Sequence, residues 1–259
     1  MEERFTMVTG ASAGIGREIA IVAAESGRNL AIVARREDRL LALARELTDR
    51  HGVRVEVFSC DLTAEEAPAR LHREALARKL EIDELVNNAG FGSLGTFHEV
   101  SLDEQLDLLT LNVVALTHLS RLFLPAMVAA GRGRILNVAS TAAFQPGPLM
   151  AVYYASKAYV LSLSEALAEE LRGTEVTVTA LCPGVTRTEF QSKARMEGSR
   201  LTRMGMADAR TVAEVGFQAM VAGRALVVPG LLNRLLVFAV RLGPRFLVRR
   251  IVRELNRPR

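Results

Sequence analysis

The 259-residue chain has no tryptophan, two cysteines and only 5% aromatic residues. Cys60 and Cys182 stand alone in apolar stretches, without the partners at fixed spacing that a metal site needs. They read as reduced core thiols, which excludes a disulfide framework and fits a cytoplasmic protein. The opening Met1-Glu2-Glu3-Arg4 runs straight into an apolar strand, so no secretory leader is expected. No unbroken apolar run reaches the ~18 residues of a membrane span. Stacking aromatics among the basic residues are missing too, which argues against nucleic acid as a partner.

What is present is a large apolar fraction, 49%, enough for a sizeable core in one α/β domain or two small ones. The net charge of +4 hides an asymmetry. From Arg224 to Arg259 stand nine arginines and one acid, Glu254, so residues 1–223 carry a net charge of −4. The basic balance belongs to the tail.

Seven short apolar stretches alternate with helical patterns: Phe5–Val8, Asn29–Ala34, Val53–Ser59, Ile82–Val86, Gly133–Ser140, Glu175–Leu181 and Ala225–Val228. Alternation of this kind predicts an α/β fold, a doubly wound parallel seven-stranded sheet of the Rossmann type with helices on both faces. The helix before the fifth strand is long, Ser101 to about Ala130.

The first strand is followed by Thr9-Gly10-Ala11-Ser12-Ala13-Gly14-Ile15-Gly16 and then a helical pattern. A tight glycine turn between strand and helix lets backbone approach a phosphate, which the helix N-terminus attracts. The spacing is G-x-x-x-G-x-G rather than G-x-G-x-x-G. In such a fold the residue ending the second strand meets the adenosine ribose, where an acid suits the 2′-hydroxyl of NAD. Here Ala34 holds that place, followed by Arg35, Arg36 and Arg39. Arginines suit a 2′-phosphate, so NADP(H) is expected ahead of NAD(H). Asp61, beside Leu62 at the end of the third strand, suits either the adenine amino group or a helix cap. Asn87-Asn88-Ala89-Gly90 after the fourth strand fits close packing on a cofactor, and a plain turn almost as well. After the sixth strand comes Cys182-Pro183-Gly184-Val185-Thr186-Arg187-Thr188, from which Thr188 can reach a nicotinamide carboxamide.

The chemistry centres on Tyr153 and Lys157, which share one face of a helix at i and i+4. A free tyrosine titrates near ~10 and is a poor acid at neutral pH. A nearby cation favours the phenolate and draws that value down. Ser140 would emerge at the carboxyl edge of the fifth strand, where open α/β sheets bind ligands. Asn112, an amide amid the apolar residues Leu108 to Leu116, either satisfies a neighbour, kinks its helix, or holds a water on a proton route.

Taken together, Thr9-Gly10 with Gly14 and Gly16, Asn87-Asn88-Ala89-Gly90, Asn112, Ser140, Tyr153 with Lys157, and Pro183-Gly184 with Thr188 resemble the short-chain dehydrogenase/reductase family over residues 5 to about 230. The resemblance implies that Tyr153 is the general acid or base and that Ser140 hydrogen-bonds the substrate oxygen. Lys157 would bind the nicotinamide ribose and lower the Tyr153 pKa, and Asn112 would keep a relay water. The implied function interconverts a carbonyl and an alcohol with NADP(H). An enoyl-type reductase and an NADP-binding regulatory or scaffold protein without turnover stay open. The resemblance also implies a homodimer or homotetramer.

Residues 189–206 suit a lid over the substrate. Leu94, Phe144, Leu149 and Met150 suggest an apolar substrate pocket. The tail, 231–259, reads as two amphipathic helices broken at Gly243-Pro244. It would dock on the domain or a partner subunit, or lay its basic face on a membrane, which leaves a peripheral location open.

Overall fold

The computed structural model describes residues 3–196, 199, 200 and 205–257. Seven parallel strands form one sheet in the order β3-β2-β1-β4-β5-β6-β7. They are β1 (Arg4–Thr9), β2 (Asn29–Ala34), β3 (Val55–Ser59), β4 (Glu81–Asn87), β5 (Gly133–Val138), β6 (Val176–Leu181) and β7 (Leu226–Val227). The chain leaves β1 toward β2 on one side and returns to β4 on the other, so a crevice opens at the carboxyl ends of those strands. Each strand alternates its side chains between two buried faces. Val8, Leu30 and Ile32 meet α1 (Gly14–Glu25), α2 (Glu37–His51) and α8 (Ala209–Val221). Met7, Ala31 and Val33 meet α3 (Ala67–Ala77), α5 (Leu116–Ala129) and α6 (Ala151–Glu170). The expected fold is the observed one.

The long central helix is not uniform. It runs as α4 (Leu102–Leu109), a π-helical stretch (Thr110–Ala115) and then α5. This 28-residue helix is apolar and long enough by composition to cross a membrane, an exception to the expectation that no segment qualifies. Its Leu116, Leu119, Phe123 and Met127 are buried, and Leu119, Phe123 and Met127 pack with strand residues in one core cluster. α3 begins at Ala67, directly after Glu66 takes a left-handed backbone (φ 57°).

Beyond the sheet lie α7 (Phe190–Lys193), α9 (Leu231–Leu242) and α10 (Arg245–Asn256). Of the expected lid, 197–198 and 201–204 lie outside the described residues.

Candidate active site

The glycine turn is locked from behind. Gly10 adopts φ +70°, and a Cβ there would fall 2.7 Å from Asn88 Nδ2. A Cβ on Gly16 would fall 2.5 Å from the Gly10 carbonyl oxygen. Asn88 Nδ2 donates to the Thr9 carbonyl at 2.9 Å, and the Thr9 hydroxyl accepts from the Asn88 and Ala89 N–H groups at 3.0 Å each. The Asn88 turn thus closes against the glycine loop and lines the cavity beside it. Gly14, at φ +58°, leaves room for Thr188, whose Cβ would be 3.0 Å from a side chain placed there. No side chain caps the N-terminus of α1 at Ala13, so its first N–H groups offer the anion site a pyrophosphate needs.

Arg36 crosses that turn, donating to the Ser12 hydroxyl from Nε and Nη2 at 3.3 and 3.2 Å. Its Nη1 meets Glu189 at 2.8 Å, and Arg39 reaches the same carboxylate at 2.5 Å. Those two bonds hold the Glu189 carboxyl down to about 2. Arg35 is mostly exposed and pairs with Asp61 at 3.6 Å. Asp61 also accepts from the Thr63 N–H and hydroxyl, at 3.0 and 2.7 Å, so it caps the turn leading to α3. Burial raises its pKa, but the Thr63 bonds and Arg35 lower it to a net fall.

Ser140 follows β5 and starts the 3₁₀ turn Thr141–Phe144, accepting from the Ala142 N–H at 3.1 Å. α6 brings Tyr153 next to Ser140, close enough for the serine hydroxyl to lower the phenol's pKa. Tyr153 and Lys157 do stand together, the ammonium 5.9 Å from the ring centroid. The expectation that this ammonium draws the phenol down needs correction. Burial pushes the Tyr153 phenol up, and the neighbouring Ser140 is what opposes it. Lys157 Nζ instead donates to the Val138 carbonyl at 2.8 Å, and burial lowers its own pKa to about 8. Spacing put the two side by side but could not say where the ammonium turns.

Asn112 lies in the π-helical stretch, a register common at functional sites. Its Oδ1 accepts from the Phe91 N–H at 3.1 Å, while Nδ2 donates to the Phe91 carbonyl at 2.9 Å and to Ser156 Oγ at 3.1 Å. Cys182 is buried beside this centre, and burial pushes its thiol up to about 12.

One cavity of about 1070 Å³ joins these parts. Among its lining residues are Gly10, Ser12, Ala13, Gly14, Ile15, Arg35, Arg36, Asp61, Leu62, Asn88, Ala89, Gly90, Ser140, Tyr153, Lys157, Pro183, Gly184 and Thr188. Of the expected residues, Gly16 and Asn112 stand behind the wall. Among the apolar residues expected around the substrate, Met150 lines the cavity. Leu94 and Leu149 pack under α10, and Phe144 packs beside Val237 of α9. Sequence reading placed Glu189 and Phe190 only within the lid, and gave the docked tail no part in the cavity wall. The Phe190 ring lies 5.4 Å from that of Tyr153, and both tail helices contribute to the cavity wall. Only the acid directly after Thr188 offered a local signal for Glu189.

A glycine-lined anion site at the switch point of a parallel sheet, beside a tyrosine, serine and lysine, defines a dinucleotide-binding oxidoreductase class. The short chain dehydrogenase model matches residues 4–198, and the chain belongs to that family. An uncharacterised oxidoreductase of Bacillus subtilis (strain 168) is 34% identical over 202 residues, 77% of this chain and 74% of that protein. A short-chain dehydrogenase from Sphingobium yanoikuyae, solved in complex with NADPH, superposes with a TM-score of 0.83 at 33% identity, covering 93% of this chain and 94% of that one. The bulky-bulky ketone specific alcohol dehydrogenase from Comamonas testosteroni gives 0.79 at 28% identity, covering 94% of each chain.

Proposed function

We propose that this protein is an NADP(H)-dependent oxidoreductase that interconverts a ketone or aldehyde and the corresponding alcohol. The observation that carries the reading is the meeting of Ser140, Tyr153 and Lys157 in one cavity with the glycine turn and the arginines. The open α1 N-terminus fits a pyrophosphate, and Arg36 with Arg39 fits a 2′-phosphate. The NADPH held by the Sphingobium relative supports the same choice.

Nicotinamide, when bound, supplies hydride chemistry at the substrate carbon. The chain's own residues do the rest. Ser140 donates a hydrogen bond to the carbonyl oxygen as negative charge grows on it, an interaction strongest in the transition state. The Tyr153 hydroxyl gives that oxygen its proton. Lys157, one helical turn along α6 with its Nζ tied to the Val138 carbonyl, would hold the nicotinamide ribose. Both N–H donors of Asn112 are engaged, but its Oδ1 retains an acceptor position for a relay water. Met150, Phe190 and Met196 line the cavity and favour an apolar substrate. The exposed Leu102, Leu106 and Val114 on the central helix support a homo-oligomer paired through that helix.

NADPH absorbance followed against a panel of ketones and aldehydes tests the reaction. Tyr153→Phe should lower turnover by ~100-fold or more while NADPH still binds. Turnover near the parent rate would remove Tyr153 as the proton donor.

A further inference from the structure

The two tail helices carry faces with separate surroundings. On α9, the partly buried Asn233, Val237 and Val240 face the domain and the inner wall of the cavity. Asn233 Nδ2 donates to the Pro229 carbonyl at 2.7 Å, and Val237 packs with the cluster around Ala139 and Val160. A second stripe, Leu232, Leu236, Ala239 and Gly243, lines the active-site cavity. The third, Leu235, Phe238 and Leu242, lies opposite the docked face at helical spacing and outside the cavity lining. Its members are between 58% and 74% exposed.

α10 repeats the plan. Val252 and Asn256 are buried; Asn256 donates to the Pro148 carbonyl at 3.0 Å and accepts from the Tyr154 hydroxyl at 3.3 Å. Leu247 and Ile251 line the cavity and are about half exposed, so they stand at its mouth. Phe246 points outward among Arg245, Arg249, Arg250 and Arg253, all exposed. Among the described residues, these four and Arg241 form no ion pair.

We propose that this surface docks on an anionic lipid bilayer, and that a water-insoluble carbonyl substrate enters from the bilayer through the mouth framed by Leu232, Leu236, Leu247 and Ile251. Exposed leucines and phenylalanines flanked by unpaired arginines suit the boundary between acyl chains and negative headgroups. A second copy of the chain is the poorer occupant. A two-fold contact would set the same arginine-rich patch against itself, with like charges opposed. The docking claim stands on the tail alone; the entry route rests on the oxidoreductase reading above.

The test floats the full chain on phosphatidylcholine vesicles with and without phosphatidylglycerol. Flotation with phosphatidylglycerol, released by high salt, is expected. The double variant Leu235→Glu/Phe238→Glu changes two exposed residues outside the cavity wall. It should keep the parent's melting temperature and lose about tenfold or more in partition. Failure to float on the anionic vesicles, or equal flotation without phosphatidylglycerol, overturns docking on an anionic surface. So does a fall in oligomeric state of the double variant with flotation unchanged. In a second arm, NADPH consumption is compared for a long-chain ketone carried in vesicles and a water-soluble ketone. Loss of vesicle-borne turnover alone in the double variant supports entry from the bilayer, and full retention overturns it. If neither ketone is reduced while flotation holds, the oxidoreductase reading has failed and the docking has not.

Discussion

Arg36 Nη1 and Glu189 Oε2 meet at 2.8 Å, joining the start of α2 to the turn after β6. Arg39 shares the carboxylate, so both guanidiniums best placed for a 2′-phosphate already hold an anion. A phosphate arriving there competes with Glu189 and is repelled by it. Glu189→Gln should therefore tighten NADPH binding by about twofold to fivefold, the range of an exposed ion pair worth ~0.5–1 kcal/mol. NADH binding should change little. Fluorescence titration with both cofactors measures the difference, and an unchanged NADPH affinity would show that the carboxylate does not compete.

Among the arginines, geometry now ranks what sequence could only group. Arg36 is tied to Ser12 in the glycine turn, whereas Arg35 is mostly exposed and turned to Asp61. Arg36→Ala should weaken NADPH by ~1–3 kcal/mol, the usual worth of a charge-assisted contact, and NADH much less. Arg35→Ala should also cost NADPH more than NADH, with the smaller loss. Equal losses for the two cofactors would end the assignment of a 2′-phosphate site.

What the sequence made legible was local. Apolar alternation gave the seven strands, the glycines of residues 10–16 gave the turn, and the four-residue spacing put Tyr153 beside Lys157. What it hid joins distant segments. Arg36 and Glu189 are 153 positions apart, and Tyr154 and Asn256 are 102 apart. No periodicity encodes such meetings; they follow from the packing of whole elements. The tail shows the same division. Its amphipathic pattern was plain, but which stripe faces the cavity depends on how Asn233 and Val237 seat α9.

Gly16 carries a structural demand that helix propensity would misjudge. Alanine is normally worth about 1 kcal/mol more than glycine inside a helix. Here its Cβ would fall 2.5 Å from the Gly10 carbonyl and would also overlap the Asn88 amide. Backbone on one side and an engaged amide on the other leave little room to relax. Gly16→Ala should lower stability by ~1–3 kcal/mol, as overpacking does, and weaken both cofactors alike. Thermal unfolding and NADPH titration check both effects, and a stabilised variant would show that the turn yields easily.

Lys157 links the site to pH. Burial lowers its ammonium from an ordinary 10.5 to about 8. Between those values the unfolded chain binds a proton that the folded chain does not, so stability should rise with pH through this window. The slope reaches at most ~1.4 kcal/mol per pH unit for one fully shifted group. Cys182 works the other way. Its thiol is raised from 9.0 to about 12, so the unfolded chain loses a proton first and stability falls above pH 9.0. The Lys157 contribution should therefore stand clearest between pH 8 and 9, before the thiol opposes it. Urea unfolding of the parent and of Lys157→Met across that interval isolates it. The parent should gain stability on going up in pH while the variant stays level. Parallel curves would mean that the Val138 carbonyl compensates the buried charge more fully than its single 2.8 Å bond suggests.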